Sequence, residues 1–183
     1  MLDTTAATDI LSVFTQYGFK KTSMEDIAQA AGLSRQSIYN RFGSKEAALI
    51  WAVGAFFSGT LDDAVDALTG SDAPPEIALA DAFKKRVGNH VQIWAGTPHG
   101  VEILEFAMAS SSCTAQDLEE EFAARITSFL VETGLVKTGA EAVEKFYVLY
   151  LASKGLMVQV ENPSQYADGI ERTIRVLVRR ESN

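Results

Sequence analysis

The residues with the clearest potential chemistry lie in "SRQSIYNRFGSK", positions 34–45, which contain amide, hydroxyl and guanidinium groups and no acid. In a helix each residue advances by about 100°. This spacing turns Gln36, Ser37 and Asn40 away from the apolar side of the segment. Amide side chains pair with adenine and arginine pairs with guanine, so the outer face suits the reading of base edges in DNA.

The neighbouring positions suit contacts with phosphate groups. They lie on the flanks of this face or at the start of a helix, and they are Arg35, Tyr39, Arg41, Lys45, Thr22 and Ser23. The first N–H groups of a helix and a nearby ammonium both favour an anion. Asn40 can serve either bases or phosphates. The same pattern also fits an ordinary three-helix core with a solvated polar face.

Two short helices joined by a glycine turn are expected to position these side chains. "SMED" has the pattern of a capping box at Ser23, Gly32 permits the positive backbone angle of a turn, and Ser34 caps the next helix. Ile38, Phe42 and Leu33 should close the small core. The arrangement predicts a helix-turn-helix, whose second helix fits the major groove of DNA.

The whole chain is predicted to be all-α, because apolar residues recur at three-to-four spacing and no alternating strand pattern occurs. About nine helices are expected, at 5–17, 23–32, 35–42, 45–68, 75–95, 101–110, 115–132, 138–161 and 164–180. A DNA-binding domain should cover 1–50 and a larger domain 51–183, with the boundary inside the fourth helix.

Composition and charge fit this division. The formal net charge is −8, yet the first fifty residues carry five bases and five acids, so the excess of acids lies downstream. The single cysteine, Cys113, excludes an internal disulfide framework. We expect no membrane span, no signal peptide and a cytoplasmic location.

The segment "TSMEDIAQAAGLSRQSIYNRFGSKEAAL" closely resembles the DNA-binding segment of the TetR family of bacterial transcriptional regulators, and "FTQYGFKKTS" resembles that family's first helix. The resemblance covers roughly 10–53. It implies that Arg35, Gln36 and Ser37 read bases and that Tyr39, Arg41 and Lys45 contact mainly phosphates. The sequence departs from the family in one respect, since residues 1–19 contain no base.

The resemblance also implies a homodimer on a palindromic operator and a repressor released by a small-molecule effector. The alternative is a small-molecule-binding helical protein or enzyme with a vestigial DNA-binding domain. No catalytic motif occurs, so the chain is not expected to be an enzyme, and no cofactor is expected. His90, His99, Glu102 and Glu105 do not have the spacing of a compact metal site.

The middle helices should enclose the effector, and their aromatic and apolar side chains suit an apolar or aromatic molecule. The candidate lining residues are Phe83, Val87, Val91, Trp94, Ile103, Leu104, Phe106, Met108, Phe122, Ile126, Phe129 and Tyr147. Each of them also fits a plain core position.

The last two helices are predicted to form the dimer interface. "VEKFYVLYLASKGLMVQV" is apolar nearly all round, as in a helix buried on two sides. The final helix has an apolar stripe, which consists of Tyr166, Ile170, Ile174, Leu177 and Val178. A monomer core would show the same pattern.

Overall fold

The computed structural model describes residues 3–70, 72–110 and 114–178. Within these ranges the chain forms ten α-helices, one short 3-10 turn at Gly88–His90 and no strand. The helices are α1 Thr4–Lys21, α2 Met24–Ala30, α3 Arg35–Phe42, α4 Lys45–Thr69, α5 Pro75–Arg86, α6 Val91–Trp94, α7 Gly100–Ser110, α8 Thr114–Glu132, α9 Gly139–Gln159 and α10 Pro163–Leu177. The all-α prediction is confirmed, with nine longer helices and the single turn α6.

The helix starts follow from local capping. Ser23 and Asp26 form the predicted capping box at α2, and the Ser34 hydroxyl accepts from the Ser37 N–H at the start of α3. Thr138 and Asn162 cap α9 and α10 in the same way. Each cap satisfies an N–H that would otherwise lack a partner.

The predicted helix at 75–95 is wrong as one continuous element. It breaks at Val87, whose backbone leaves helical geometry, and α5, the 3-10 turn and α6 follow one another. The break is followed by Gly88, where an added Cβ would clash with the ring of Tyr166. The close approach of the α10 tyrosine therefore requires glycine here.

The chain divides into two compact units, Met1–Gly59 with Ile93–Gln116, and Thr60–Gln92 with Asp117–Asn183. We call them unit 1 and unit 2. The division falls within α4. Unit 1 contains the first three helices together with α7, and the domain boundary at residue 50 stays a prediction.

The core of unit 1 is built from apolar residues of α1, α2, α3, α4 and α7. Its fully buried members include Ile10, Leu11, Phe14, Ile27, Ile38, Leu49, Phe56 and Ile103. Leu33 was expected in this core, but it is 39% exposed because it lies in the turn before α3. Phe42 is half-buried against Trp51, with ring centroids 5.3 Å apart.

Unit 2 has a separate core, in which α10 packs on α5 and α9. Tyr166, Ile170, Ile174 and Val178 are buried there. The apolar stripe of α10 is therefore part of the core of its own chain, and its assignment to the dimer interface is wrong. A Cβ on Gly169 would lie 2.5 Å from Leu156 Cδ2, which shows how closely α9 and α10 approach.

One described helix, α4, is long and apolar enough by length and composition to cross a membrane. Core helices of soluble proteins pass the same test, so the expectation that the chain has no membrane span stays a prediction. In unit 1, Ala48, Leu49, Ala52 and Val53 of this helix are buried in protein. This burial is the behaviour of a core helix.

Candidate nucleic-acid interface

Helix α3 presents most of its side chains to solvent. Arg35, Gln36, Ser37, Tyr39, Asn40 and Arg41 are exposed, whereas Ile38 is buried. Ile38 fixes the rotation of the helix against the core of unit 1, and the Ser34 cap fixes its first turn. The predicted orientation of Gln36, Ser37 and Asn40 is confirmed, while their contact with bases stays a prediction.

The two amide side chains on this face are bonded to each other. Gln36 Nε2 donates to Asn40 Oδ1 at 2.8 Å. This bond uses one amide hydrogen of Gln36, whose side chain is exposed. A coupled pair of this kind has fewer side-chain conformations to lose when it meets a base edge.

The two arginines of α3 lie over aromatic rings. The guanidinium carbon of Arg35 is 5.5 Å from the centre of the Tyr39 ring, and that of Arg41 is 5.7 Å from the centre of the Trp51 ring. A side-chain hydrogen bond with Tyr39 is the largest cause that raises the pKa of Arg35. Arg35 also has a long contact of 3.8 Å with Glu25, and exposed pairs of this kind contribute little.

Thr22 does not offer its side chain to a phosphate. It is 2% exposed, and its hydroxyl donates to the Gly18 carbonyl at 2.9 Å. The predicted role is corrected for this residue, because the hydroxyl closes the last turn of α1. Ser23 is exposed, and its hydroxyl donates to Asp26 at 2.7 Å, which contributes to holding the pKa of that carboxyl below its usual value.

Lys45 also differs from its prediction. Its ammonium donates to the carbonyls of Phe19 at 2.6 Å, Lys20 at 3.2 Å and Thr22 at 3.1 Å. The nitrogen lies 4.6 Å from the centre of the Phe19 ring. An ammonium has three donors, and all three are directed at the end of α1. The side chain therefore ties α4 to α1, and its assignment to a phosphate contact is corrected.

A groove of about 510 Å³ lies beside α3, between the start of α1 and the turn after α2. Asp3, Asp9, Leu33 and Arg41 are among its lining residues. The two carboxylates place negative charge near Arg41, on the side where the sequence lacks bases. This charge opposes the approach of a phosphate.

The predicted effector-lining residues do not form one group. Trp94, Ile103, Leu104 and Phe106 belong to unit 1, where Phe106 stacks on Phe19 at 5.0 Å and Trp94 contacts Phe56 at 5.5 Å. Met108 lies in α7, but its side chain is outside the described part of the chain. Their role as effector contacts stays a prediction.

The members that lie in unit 2 are mostly core residues. Phe83, Val91, Phe122 and Ile126 are buried there, and Val87 and Phe129 pack against them. Tyr147 is 59% exposed on α9, so its assignment to an internal cavity is wrong. It shares an exposed apolar face with Val143, Val148, Leu151 and Val158.

The sequence analysis did not single out Arg86, although it is the buried charged residue of unit 2. It ends the run "KKR" at the end of α5, which resembles a solvated helix end. The structure buries its guanidinium and leaves Lys84 and Lys85 partly exposed. No local sequence pattern shows which of these three basic residues is buried. Arg86 is buried because α4 and α8 pack around it.

The two histidines, His90 and His99, lie in different surroundings. The ring of His99 packs against Gly18, its backbone N–H donates to Thr15 at 2.9 Å, and its Nδ1 lies 2.9 Å from Glu102. Burial is the main cause that lowers the pKa of His90. Among the described residues, no three or more potential metal ligands come together.

The geometry defines a class of fold: a capped helix-turn-helix whose second helix exposes no acidic side chain, together with a helical unit that has its own core. Residues 10–50 match the sequence model of the family described as "Bacterial regulatory proteins, tetR family". The resemblance of this segment to the TetR family is thereby confirmed.

One sequence relative and two solved structures extend the comparison. "Uncharacterized HTH-type transcriptional regulator YezE" of Bacillus subtilis is 30% identical over 77 residues, which are 42% of this chain and 39% of that protein. PfmR from Thermus thermophilus superposes with a TM-score of 0.61 at 20% identity, over 97% of this chain and 99% of that one. The fatty acid degradation regulator FadR from Bacillus halodurans gives 0.67 at 13% identity, over 95% and 93%. The structural likenesses show the fold.

Proposed function

We propose that the protein is a dimeric, sequence-specific DNA-binding transcriptional repressor that leaves its operator when a small apolar or aromatic molecule binds. The observation that carries the proposal is the surface of α3. Six of its side chains are exposed and none is acidic, while Ile38 and the Ser34 cap hold the helix in place. A rigid helix with amides and guanidinium groups on its outer face suits the major groove.

The proposal includes a dimer, because helix-turn-helix proteins usually read two half-sites with two copies. The exposed apolar face of α9 is the surface that we assign to the second copy. Val143, Tyr147 and Leu151 lie one turn apart along it. The proposed dimer interface therefore uses α9 and not the apolar stripe of α10, because that stripe is buried in the core of unit 2.

The effector is assigned to the second unit. Unit 2 has a core of its own with a row of aromatic side chains, and TetR-family regulators typically respond to small molecules. A molecule that binds one conformation more tightly than another shifts the population and thereby changes the affinity for DNA.

The first experiment is a titration of the protein into labelled DNA from the region upstream of its own gene. Fluorescence anisotropy should show salt-dependent binding that exceeds binding to scrambled DNA of the same composition. The double variant Arg35→Ala/Arg41→Ala should bind at least tenfold more weakly, because two cations leave the interface.

The matched control is Arg125→Ala/Arg172→Ala, which removes two exposed arginines of unit 2. It should bind DNA like the parent protein. Equal losses in both double variants would show that net charge alone matters and would contradict the assignment of α3 as the reading surface.

A further inference from the structure

One arginine of unit 2 carries a buried positive charge. The side chain of Arg86 is 3% exposed. Its Nη1 donates to the Thr60 hydroxyl at 2.6 Å, and its guanidinium carbon lies 5.6 Å from the centre of the Phe122 ring. Burial lowers the pKa of Arg86, yet arginine stays protonated in proteins. A buried cation of this kind is costly unless an anion accompanies it.

The anion that accompanies Arg86 in this structure is Glu119, and the pairing is loose. One Nη2–Oε1 contact of 3.4 Å joins the two side chains, rather than the two short parallel bonds of a bidentate pair. Glu119 is 24% exposed. The carboxylate therefore lies at the edge of the unit, where it can turn to solvent.

A second cation lies beside the same carboxylate. Lys154 Nζ lies 3.8 Å from Glu119 Oε1 and 4.9 Å from the centre of the Tyr150 ring. Burial, together with the charge of Glu119, raises the pKa of Tyr150. Arg86 and Lys154 bring two positive charges to one carboxylate. We call Thr60, Arg86, Glu119, Tyr150 and Lys154 the Arg86 cluster. Its donors are arranged around the position of a carboxylate.

A row of aromatic rings in contact with one another ends at this cluster. Ring centroids are 5.3 Å apart for Phe83 and Phe122, 6.0 Å for Phe122 and Phe146, and 5.7 Å for Phe146 and Tyr150. Phe146 and Tyr150 are half-buried. A row of rings that ends at two cations and a phenol matches a molecule with an apolar body and an anionic head.

We propose that the Arg86 cluster is the effector's binding site and that the effector is an amphipathic carboxylate. Its carboxylate replaces that of Glu119 on Arg86 and Lys154, and its apolar body lies against Phe146 and Tyr150. Glu119 acts as an internal substitute that keeps Arg86 paired until the ligand arrives. The ligand is an effector only if the proposed function is correct, and in this respect the inference rests on that function. The binding of the carboxylate itself does not involve DNA.

The test is calorimetric titration of the full chain, without DNA, with 4-phenylbutyrate and decanoate, each beside its uncharged primary amide. At least one of the two acids should bind tenfold or more tightly than its own amide. Equal binding of acid and amide in both pairs, or no binding by either acid, overturns the proposal.

Two variants sharpen the test. Glu119→Gln removes the internal competitor and should tighten the binding of the acid about tenfold without changing that of its amide. Lys154→Gln should weaken only the acid. Glu121→Gln is the control, because Glu121 lies on the same helix and pairs at 3.0 Å with the exposed Arg125.

A purely structural role for the ion pair gives a different result. Glu119→Gln would then lower the melting temperature and leave the affinity for the acid unchanged, which overturns the proposal. Circular dichroism of each variant verifies that it is folded. Acid binding that fails to release DNA in the anisotropy assay would contradict the proposed effector response while leaving the site itself in place.

Discussion

Gln36 and Asn40 form a coupled pair at the centre of the proposed reading surface. Their hydrogen bond of 2.8 Å connects positions four apart on α3, so both side chains lie on one face. Glutamine and asparagine can each bond an adenine through two contacts. Substitution of either residue should therefore remove its own contact with a base and also free the side chain of the other residue.

Gln36→Ala should therefore relax the sequence preference at one or two base pairs in each half-site. A good bidentate contact is worth about 1–3 kcal/mol of discrimination against the wrong base. Selection from a randomised operator library, followed by sequencing, measures the change. Gln92→Ala, at an exposed position of unit 2, should leave the selected sequence unaltered.

The side chain of Lys45 stabilises the fold by joining the start of α4 to the end of α1. Lys45→Met removes three bonds to carbonyls at the end of α1 and should cost about 1.5–3 kcal/mol of unfolding free energy, the range for bonds that involve a charged group. Urea denaturation measures this loss. Lys21→Met, which changes an exposed lysine in the last turn of α1, should cost much less.

The DNA-binding data provide a second readout for Lys45. A lysine that neutralises a phosphate contributes about 1 to the slope of log affinity against log salt. We expect Lys45→Met to leave this slope unchanged. A shallower slope with normal stability would restore the phosphate contact predicted from the sequence.

At the scale of elements, the exit of α1 depends on Gly18. Its φ of 81° and ψ of 158° interrupt the helix before Phe19, and a Cβ would lie 3.0 Å from Nδ1 of His99. A residue with a side chain is strained in this region of backbone space. The turn places Phe19, Lys20 and Thr22 where Lys45 reaches their carbonyls.

Gly18→Ala should lower the unfolding free energy by about 1–3 kcal/mol through backbone strain, and contact with His99 adds to the loss. The control is Gly54→Ala in the middle of α4, where no atom lies within 4 Å of the added methyl group. That change should stabilise the protein by about 0.5–1 kcal/mol. Thermal and urea denaturation of the two variants should thus shift in opposite directions.

Features that depend on nearby residues were predictable from the sequence. The Ser23 and Ser34 caps and the exposed face of α3 involve side chains within one or two turns. The need for glycine at position 88 was not predictable, because it depends on Tyr166 of a distant helix. The occupied donors of Lys45 likewise arise only when α1 and α4 come together.

At the scale of the whole molecule, the exposed apolar residues of α9 form the interface that we propose for a second copy. Tyr147→Glu/Leu151→Glu places two charges on the proposed interface and should yield a monomer in analytical ultracentrifugation. Operator affinity should fall more than tenfold, because two half-sites are no longer bound together. Val101→Glu, at an exposed apolar position of α7, should remain a dimer.

We expect acidic residues near α3 to weaken DNA binding more than acidic residues elsewhere in the molecule. Asp9 lines the groove next to Arg41, and Asp9→Asn should raise operator affinity severalfold in low salt. The gain should vanish at high salt because screening removes long-range repulsion. Asp62→Asn, an exposed acid of α4 in unit 2, should have a much smaller effect in the same titration.

The composition of unit 1 has a practical consequence for anyone who wishes to isolate the DNA-binding half. Phe56 packs on Trp94, and Phe19 packs on Phe106, so that two separate stretches of chain complete one core. A fragment ending at Gly59 would expose these rings to water and should aggregate or remain unfolded. An autonomous DNA-binding fragment would need residues 93–116 supplied through a linker or as an added peptide.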